Sequence, residues 1–120
     1  MSRRSKPLTF ADVVRLASPL PEVEESTSYG TPSLKVKGKI VARLWEDGTT
    51  LVLRLPFVVR DHLLATAPGA FFLTDHYTNY PYVLVRLAVV QPSELQPLLV
   101  EAWRQVAPKR MVAAYDKNAG

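Results

Sequence analysis

Residues 33–55 contain three runs of strand-forming residues that are separated only by tight turns. The runs cover residues 33–36, 40–45 and 50–55, and the turns between them hold Lys37-Gly38 and Asp47-Gly48. Two-residue turns of this kind join antiparallel neighbours, because a parallel pair needs a long crossover connection. The stretch therefore predicts a β-meander at the centre of the fold, with a further short strand just before it.

Helical patterns flank the meander on both sides. Thr9 and Asp12 have the spacing of a capping box ahead of an apolar stripe, which predicts a first helix over residues 10–18. A second helix is predicted over residues 58–67. A third is predicted to begin at Ser93, where apolar residues follow helical spacing as far as residue 106.

The order of these elements predicts an α+β fold. Strands are also expected over residues 71–73 and 82–89, so that runs of strands alternate with isolated helices. We expect a two-layer α/β sandwich in which the helices cover one face of a mostly antiparallel sheet. A single domain is predicted over residues 9–111, with a disordered basic arm over 1–8 and a flexible tail over 112–120.

Composition excludes some sites and permits others. The chain has no cysteine, so it forms no disulfide and no thiolate metal site. No apolar stretch reaches the length of a membrane span, and the basic start lacks the apolar segment of a secretory signal. We therefore expect a cytoplasmic protein. The net charge of +4 permits binding to nucleic acid without requiring it.

Alternation along the strands assigns side chains to the two faces of the sheet. The aliphatic set predicted to face the helices is Ile40, Ala42, Leu44, Leu51, Leu53, Leu55, Val83, Val85 and Leu87. The opposite, open face then receives one arginine from each strand, together with two aromatic side chains: Arg43, Arg54, Arg86, Trp45 and Tyr82. Val41 falls in this second set.

The open face has three interpretations. Arginines among aromatic rings can bind nucleic acid through phosphate contacts and stacking. They can equally extend from a half-covered sheet to pair with nearby carboxylates. They can also form a contact with a protein partner or a second copy. Lys35, Lys37 and Lys39 occupy every second position and are predicted to share one face, where they could follow phosphates or protect a sheet edge.

A polar loop over residues 75–82 supplies the remaining candidate site. It holds a histidine, an aspartate and three tyrosines. A small-ligand site would form if this loop met the turn at Tyr29, with the candidate residues Glu25, Thr27, Tyr29, His76 and Tyr80. The two histidines lack metal-ligand spacing, and no nucleophile or nucleotide motif occurs. We therefore expect no metal, no cofactor and no catalytic residue.

An ordered set of short motifs runs through residues 9–111. It includes residues 25–32 (ESTSYGTP), 34–39 (LKVKGK), 51–54 (LVLR), 80–87 (YPYVLVRL) and 101–110 (EAWRQVAPKR). In this order the set resembles the MmcQ/YjbR family. The resemblance implies an α-β(3)-α-β(2)-α fold like that of type III secretion chaperones. It carries no agreed catalytic residues.

The resemblance also implies a function, and the chain departs from the family pattern at a few positions. The family is described as DNA-binding because its fold looks like the DNA-binding domain of the MotA transcription factor, which is an argument from fold alone. Asn79 and Tyr82 stand where the family pattern has glycine and tryptophan. Phe57 and Val58 replace a more acidic helix start and suggest a contact surface.

These observations lead to one principal hypothesis and two alternatives. The chain is interpreted as a non-enzymatic protein that binds double-stranded DNA with low sequence specificity. The proposed DNA contacts are Lys35, Lys37, Lys39, Arg43, Arg54, Arg86, Trp45 and Tyr82. The alternatives are a protein-interaction or chaperone-like module, which could be a homodimer, and a small-ligand-binding domain.

Overall fold

The computed structural model describes residues 6–119, which form a six-stranded sheet covered by helices. The elements in chain order are α1 (Phe10–Ala17), β1 (Glu24–Ser28), β2 (Thr31–Val36), β3 (Lys39–Leu44), β4 (Thr50–Arg54), α2 (Phe57–Thr66), β5 (Phe71–Phe72), β6 (Tyr82–Arg86), α3 (Pro92–Val106) and α4 (Lys109–Ala119). A single 3-10 turn, Asp75–Tyr77, interrupts the segment between β5 and β6. The predicted α+β fold is confirmed, with β1 as a fourth strand ahead of α2.

All strand pairs in the sheet are antiparallel, in the order β1-β2-β3-β4-β6-β5. The predicted meander is confirmed, because β2, β3 and β4 are consecutive neighbours. The β2–β3 turn places Lys37 and Gly38 at φ values of 50° and 80°. Positive φ at both central residues is typical of a type I′ turn, which matches the twist of the strands it joins.

The main core lies between the sheet and the helices. Leu51, Leu53, Val83 and Val85 are buried there, as the alternation predicted, and partly buried apolar residues of all four helices pack against the same cluster. Trp103 on α3 is fully buried, and its indole N–H donates to the backbone carbonyl of Pro21 at 2.8 Å. The second face of the sheet carries a smaller cluster.

A β-bulge changes which β3 residues face the helices. Leu34 lies opposite Ala42, but Lys35 lies opposite Ile40, so Val41 is an extra residue on β3. Val41 is therefore buried in the main core. The prediction that Ile40 faces the helices and Val41 the open face was wrong, because strict alternation fails across an inserted residue.

The two ends of the domain also differ from the prediction. Leu8 is buried, and its N–H donates to the carbonyl of Leu87 at 3.0 Å, so the folded part begins before residue 9. Residues 1–5 of the predicted arm lie outside the described residues. The predicted flexible tail is instead largely helical, because it belongs to α4. This helix starts directly after Pro108, whose carbonyl accepts a hydrogen bond from the N–H of Val112.

Helix α4 packs on α3 through aromatic and ionic contacts. The Tyr115 ring lies 5.0 Å from the Trp103 ring, centroid to centroid. Arg104 donates to the carboxylate of Asp116, and this hydrogen bond holds the pKa of Asp116 below its ordinary value. The contacts explain why the tail is folded on the domain.

The packing of α4 can be tested with one aromatic substitution. We expect Tyr115→Ala to lower the free energy of unfolding by about 1–2 kcal/mol, because it removes an aromatic ring packed on Trp103. Urea unfolding measures this change. The matched control is Lys117→Ala, at an exposed position of the same helix. Equal stability of the two variants would contradict a docked helix.

Candidate ligand-binding site

The open face of the sheet contains a cavity of about 520 Å³. It lies between the β1–β2 turn, the sheet surface and the segment that carries the 3-10 turn. Its walls hold four tyrosines, one histidine, two charged residues and two aliphatic residues: Tyr29, Ile40, Arg43, Glu46, Val52, His76, Tyr77, Tyr80 and Tyr82. The Tyr29 turn and the 75–82 loop therefore meet, as the small-ligand alternative required.

The register of the sheet places the floor of the cavity. Arg43 lies opposite Val52, and Val52 lies opposite Leu84, so these three side chains share one face. Tyr77 packs on Val52 and Leu84 in the smaller buried cluster. Ile40 reaches the same face because of the bulge at Val41. A local irregularity in β3 thus contributes to the shape of the cavity.

Arg43 is the buried charge of the cavity, with only 6% of its surface exposed. One terminal nitrogen, Nη2, donates to the Tyr77 hydroxyl at 2.9 Å. The other, Nη1, donates to Glu46 at 3.1 Å and to the Thr31 hydroxyl at 3.3 Å. Burial disfavours the charged form, but the hydrogen bonds to Tyr77 and Glu46 outweigh it and raise the pKa of Arg43.

Aromatic rings form the remaining walls. His76 meets Tyr77 edge-to-face at 4.7 Å between ring centroids, and it lies 6.2 Å from the ring of Tyr80. Tyr77 and Tyr82 are 5.9 Å apart. Tyr29 covers the guanidinium of Arg43, with 5.1 Å from its ring centroid to Cζ, yet 80% of the Tyr29 surface is exposed. The cavity thus presents several flat rings to an occupant.

Arg60 on α2 is a structural residue that the sequence analysis missed. It is buried, and its Nη1 donates to the backbone carbonyls of Tyr77, Thr78 and Tyr80 at 3.3, 3.1 and 2.9 Å. The carbonyls of Tyr77 and Tyr80 also accept from the backbone N–H groups of Tyr80 and Tyr82, so Arg60 holds an already hydrogen-bonded loop against α2. The sequence could have indicated this role, because Arg60 follows Val59 among the apolar residues of α2. An unpaired charge at such a position would be costly.

The three predicted phosphate-binding arginines share a face of the sheet but do not converge. Arg54 lies opposite Tyr82 and stacks 5.8 Å from its ring, whereas Arg86 lies opposite Thr50 at the other end of the same ladder. Four residues of strand separate these ends by about 13 Å. Arg86 also stacks on the Phe72 ring, at 4.1 Å.

Trp45 does not form an exposed aromatic platform. It is partly buried against the small cluster of Val52, Tyr77 and Leu84. Phe57 and Val58, by contrast, are 44% and 82% exposed at the start of α2. These two apolar side chains lie outside the cavity lining.

The three lysines do not share a face, contrary to the prediction. Lys35 lies opposite Ile40 on the cavity side of the sheet, whereas Lys39 lies opposite Val36, whose side chain enters the helix-side core. Lys37 is in the turn between them. The period-two argument failed because the chain reverses direction at residues 37–38, so the spacing does not run along one strand.

Only some of the predicted pocket residues line the cavity. Tyr29, His76 and Tyr80 line the cavity, whereas Glu25 and Thr27 are exposed on the edge strand β1 and do not line it. Glu25 lies opposite Leu34, which belongs to the helix-side core, so its position is on the far face of the sheet. A carboxylate for the cavity comes instead from Glu46.

Residues 6–119 hold neither a metal-binding cluster of side chains nor a membrane-spanning helix. No group of three or more histidine, cysteine, aspartate or glutamate side chains lies close enough to hold a metal ion. Among the helices of that range, none has both the length and the apolar character that crossing a membrane requires.

Comparisons with known proteins place most of the chain in one family. The family model described as YjbR matches residues 18–105. Uncharacterised proteins of Mycobacterium tuberculosis and Mycobacterium bovis are 45% identical over 62 residues, which is 52% of this chain and 48% of theirs. The chain thus spans about half the length of the curated relatives it matches.

A solved structure supports the fold independently. The crystal structure of a Deinococcus radiodurans protein, described as a DUF419 domain, matches with a TM-score of 0.70 and 23% identity. The match covers 84% of this chain and 80% of the Deinococcus chain. At this identity the similarity concerns the fold alone.

Two similar turns allow a test of the Tyr29 contact. Tyr29 and Lys37 both have positive φ ahead of a glycine, where asparagine is preferred. We expect Lys37→Asn to raise the free energy of unfolding by about 1 kcal/mol, because it relieves an unfavourable backbone conformation. Tyr29→Asn should raise the free energy of unfolding by less, because it also removes the ring over Arg43. That contact contributes about 0.5–1 kcal/mol.

Urea unfolding of the two variants and the wild type measures the difference. A gain for Tyr29→Asn equal to that for Lys37→Asn would show that the ring over Arg43 contributes nothing to stability.

Proposed function

The chain belongs to the YjbR family, and we propose that it is a small-ligand-binding domain whose site is the cavity on the open sheet face. One observation carries the proposal. The Tyr29 turn and the 75–82 loop meet across a cavity of about 520 Å³ that contains a buried arginine. Tyr29, His76 and Tyr80 come together there from distant parts of the sequence.

The composition of the cavity supports the proposal. Small-molecule sites have volumes of about 300–1,000 Å³, largely apolar and aromatic walls, and a few placed polar groups. Here the rings and aliphatic side chains supply the walls, while Arg43 and Glu46 supply the polar groups.

The proposal assigns binding without catalysis. A histidine that acts as a general base needs a partner that orients it. Within residues 6–119, the His76 ring contacts Tyr77 and Tyr80, and no carboxylate hydrogen-bonds to it. Arg43 is held by four acceptors, including the carbonyl of Leu44 at 3.4 Å, which suits a positioning role.

A fragment screen by NMR tests the site. One- and two-ring aromatic fragments should shift the backbone amide signals of Tyr29, Arg43 and His76 while leaving those of Lys37 unchanged. Ile40→Trp, which fills the cavity from β3, should abolish the shifts. The matched control is Val89→Trp, at a half-exposed position outside the cavity. Binding that survives Ile40→Trp, or the absence of any shift, would contradict the proposal.

DNA binding is the second candidate, and the β2–β3 hairpin favours it. Lys37 and Lys39 are exposed there, and within the described residues neither makes an ion pair. Each phosphate contact adds about 0.9 to the slope of log affinity against log salt. Lysines at an exposed hairpin could supply such contacts, whereas Arg43 is too buried to do so.

A duplex-binding assay tests this second candidate. We expect the affinity for a fluorescent random-sequence duplex to fall by about tenfold or more when the salt concentration rises from about 50 to about 200 mM. The double substitution of Lys37→Gln and Lys39→Gln should reduce the salt slope by about two. The control pair, Lys109→Gln and Lys117→Gln, makes the same change of charge on α4. An equal effect of both pairs would exclude a hairpin site.

A further inference from the structure

The charges around the cavity are unequally exposed to water. Arg43 lines the cavity and is 6% exposed. Its carboxylate partner is Glu46, whose side chain is 58% exposed. Water and salt screen the exposed carboxylate far more than the buried guanidinium. The cavity is therefore electropositive next to Arg43, although this arginine has a partner.

The aromatic walls set a second requirement. Rings from the 75–82 loop and the Tyr29 turn present flat faces, and such faces stack well on a planar occupant. An ammonium group would also suit aromatic faces. However, the ring of Tyr29 is already covered by Arg43, whose positive charge would repel a second cation.

On the basis of the proposed function, we infer that the cavity binds a planar aromatic compound that carries one carboxylate, and that this carboxylate binds Arg43 in place of Glu46. Glu46 belongs to the short β3–β4 turn and is mostly in solvent, so its carboxylate can return to water when a ligand carboxylate replaces it and keeps the buried Arg43 paired. A ligand carboxylate would recover the same charge-assisted hydrogen bond inside the electropositive cavity. Glu46 thus acts as an internal competitor for the ligand.

Four small probes separate the contributions of ring and charge. They are 2-naphthoate, its neutral amide 2-naphthamide, the non-aromatic cyclohexanecarboxylate and the cationic 2-naphthylmethylammonium. NMR titration of the full chain measures each dissociation constant from the amide shifts around the cavity. We expect 2-naphthoate to bind most tightly. Each of the other probes should have a dissociation constant that is larger by about tenfold or more.

The competitor role of Glu46 predicts a gain of affinity. Glu46→Gln should tighten 2-naphthoate binding by about three- to tenfold and leave 2-naphthamide unchanged, because only the charged probe competes for Arg43. The matched control is Glu25→Gln, which makes the same change of net charge on β1, outside the cavity. It should leave both affinities unchanged.

The outcomes distinguish this inference from the function on which it rests. Equal binding of 2-naphthoate and 2-naphthamide, or tightest binding of the ammonium probe, overturns the carboxylate inference and leaves a ligand cavity in place. Failure of Glu46→Gln to tighten 2-naphthoate binding, or an equal gain in Glu25→Gln, overturns the assignment of the carboxylate to Arg43. If no probe shifts the cavity amides, both the inference and the proposed function are wrong.

Discussion

The buried guanidinium of Arg43 is the constraint on which the geometry of the open sheet face depends. A charge removed from water is costly unless hydrogen bonds and an opposite charge replace its hydration. Arg43 obtains them from Thr31, Glu46 and Tyr77, which belong to β2, the β3–β4 turn and the 75–82 loop. Satisfying one side chain therefore fixes the positions of three separate segments and leaves a cavity between them.

A second buried arginine holds the backbone of the same loop. Arg60 donates to three loop carbonyls, while its partner Asp61 stays largely in solvent. Together with Arg43, it brings a polar loop over a sheet face that would otherwise be open to water. Arg43 gives the cavity its electropositive character, and its exposed partner Glu46 only partly offsets the charge.

The family assignment and the geometry answer different questions. The YjbR match and the Deinococcus structure support the fold, and the relatives described as uncharacterised add no activity. The geometry changes the relative weight of the functional hypotheses. Arg54 and Arg86 are separated along the ladder and engage neighbouring rings, whereas the cavity gathers aromatic side chains around Arg43.

The sequence by itself determined the features that depend on neighbouring residues. The meander, the capping box at Thr9 and the apolar stripe of α3 were all predictable, because turn chemistry and periodicity act over a few positions. The motif order also identified the family. Most helix-facing residues of the sheet followed from alternation alone.

The tertiary structure decided the features that depend on long-range contacts. The bulge at Val41 reassigned Ile40 to the cavity, and the reversal at the β2–β3 turn separated Lys35 from Lys39. The partners of Arg43 and Arg60 lie up to 34 and 20 residues away in the chain. A periodicity argument sees neither an inserted residue nor a distant hydrogen bond, because both are fixed by how complete segments pack together.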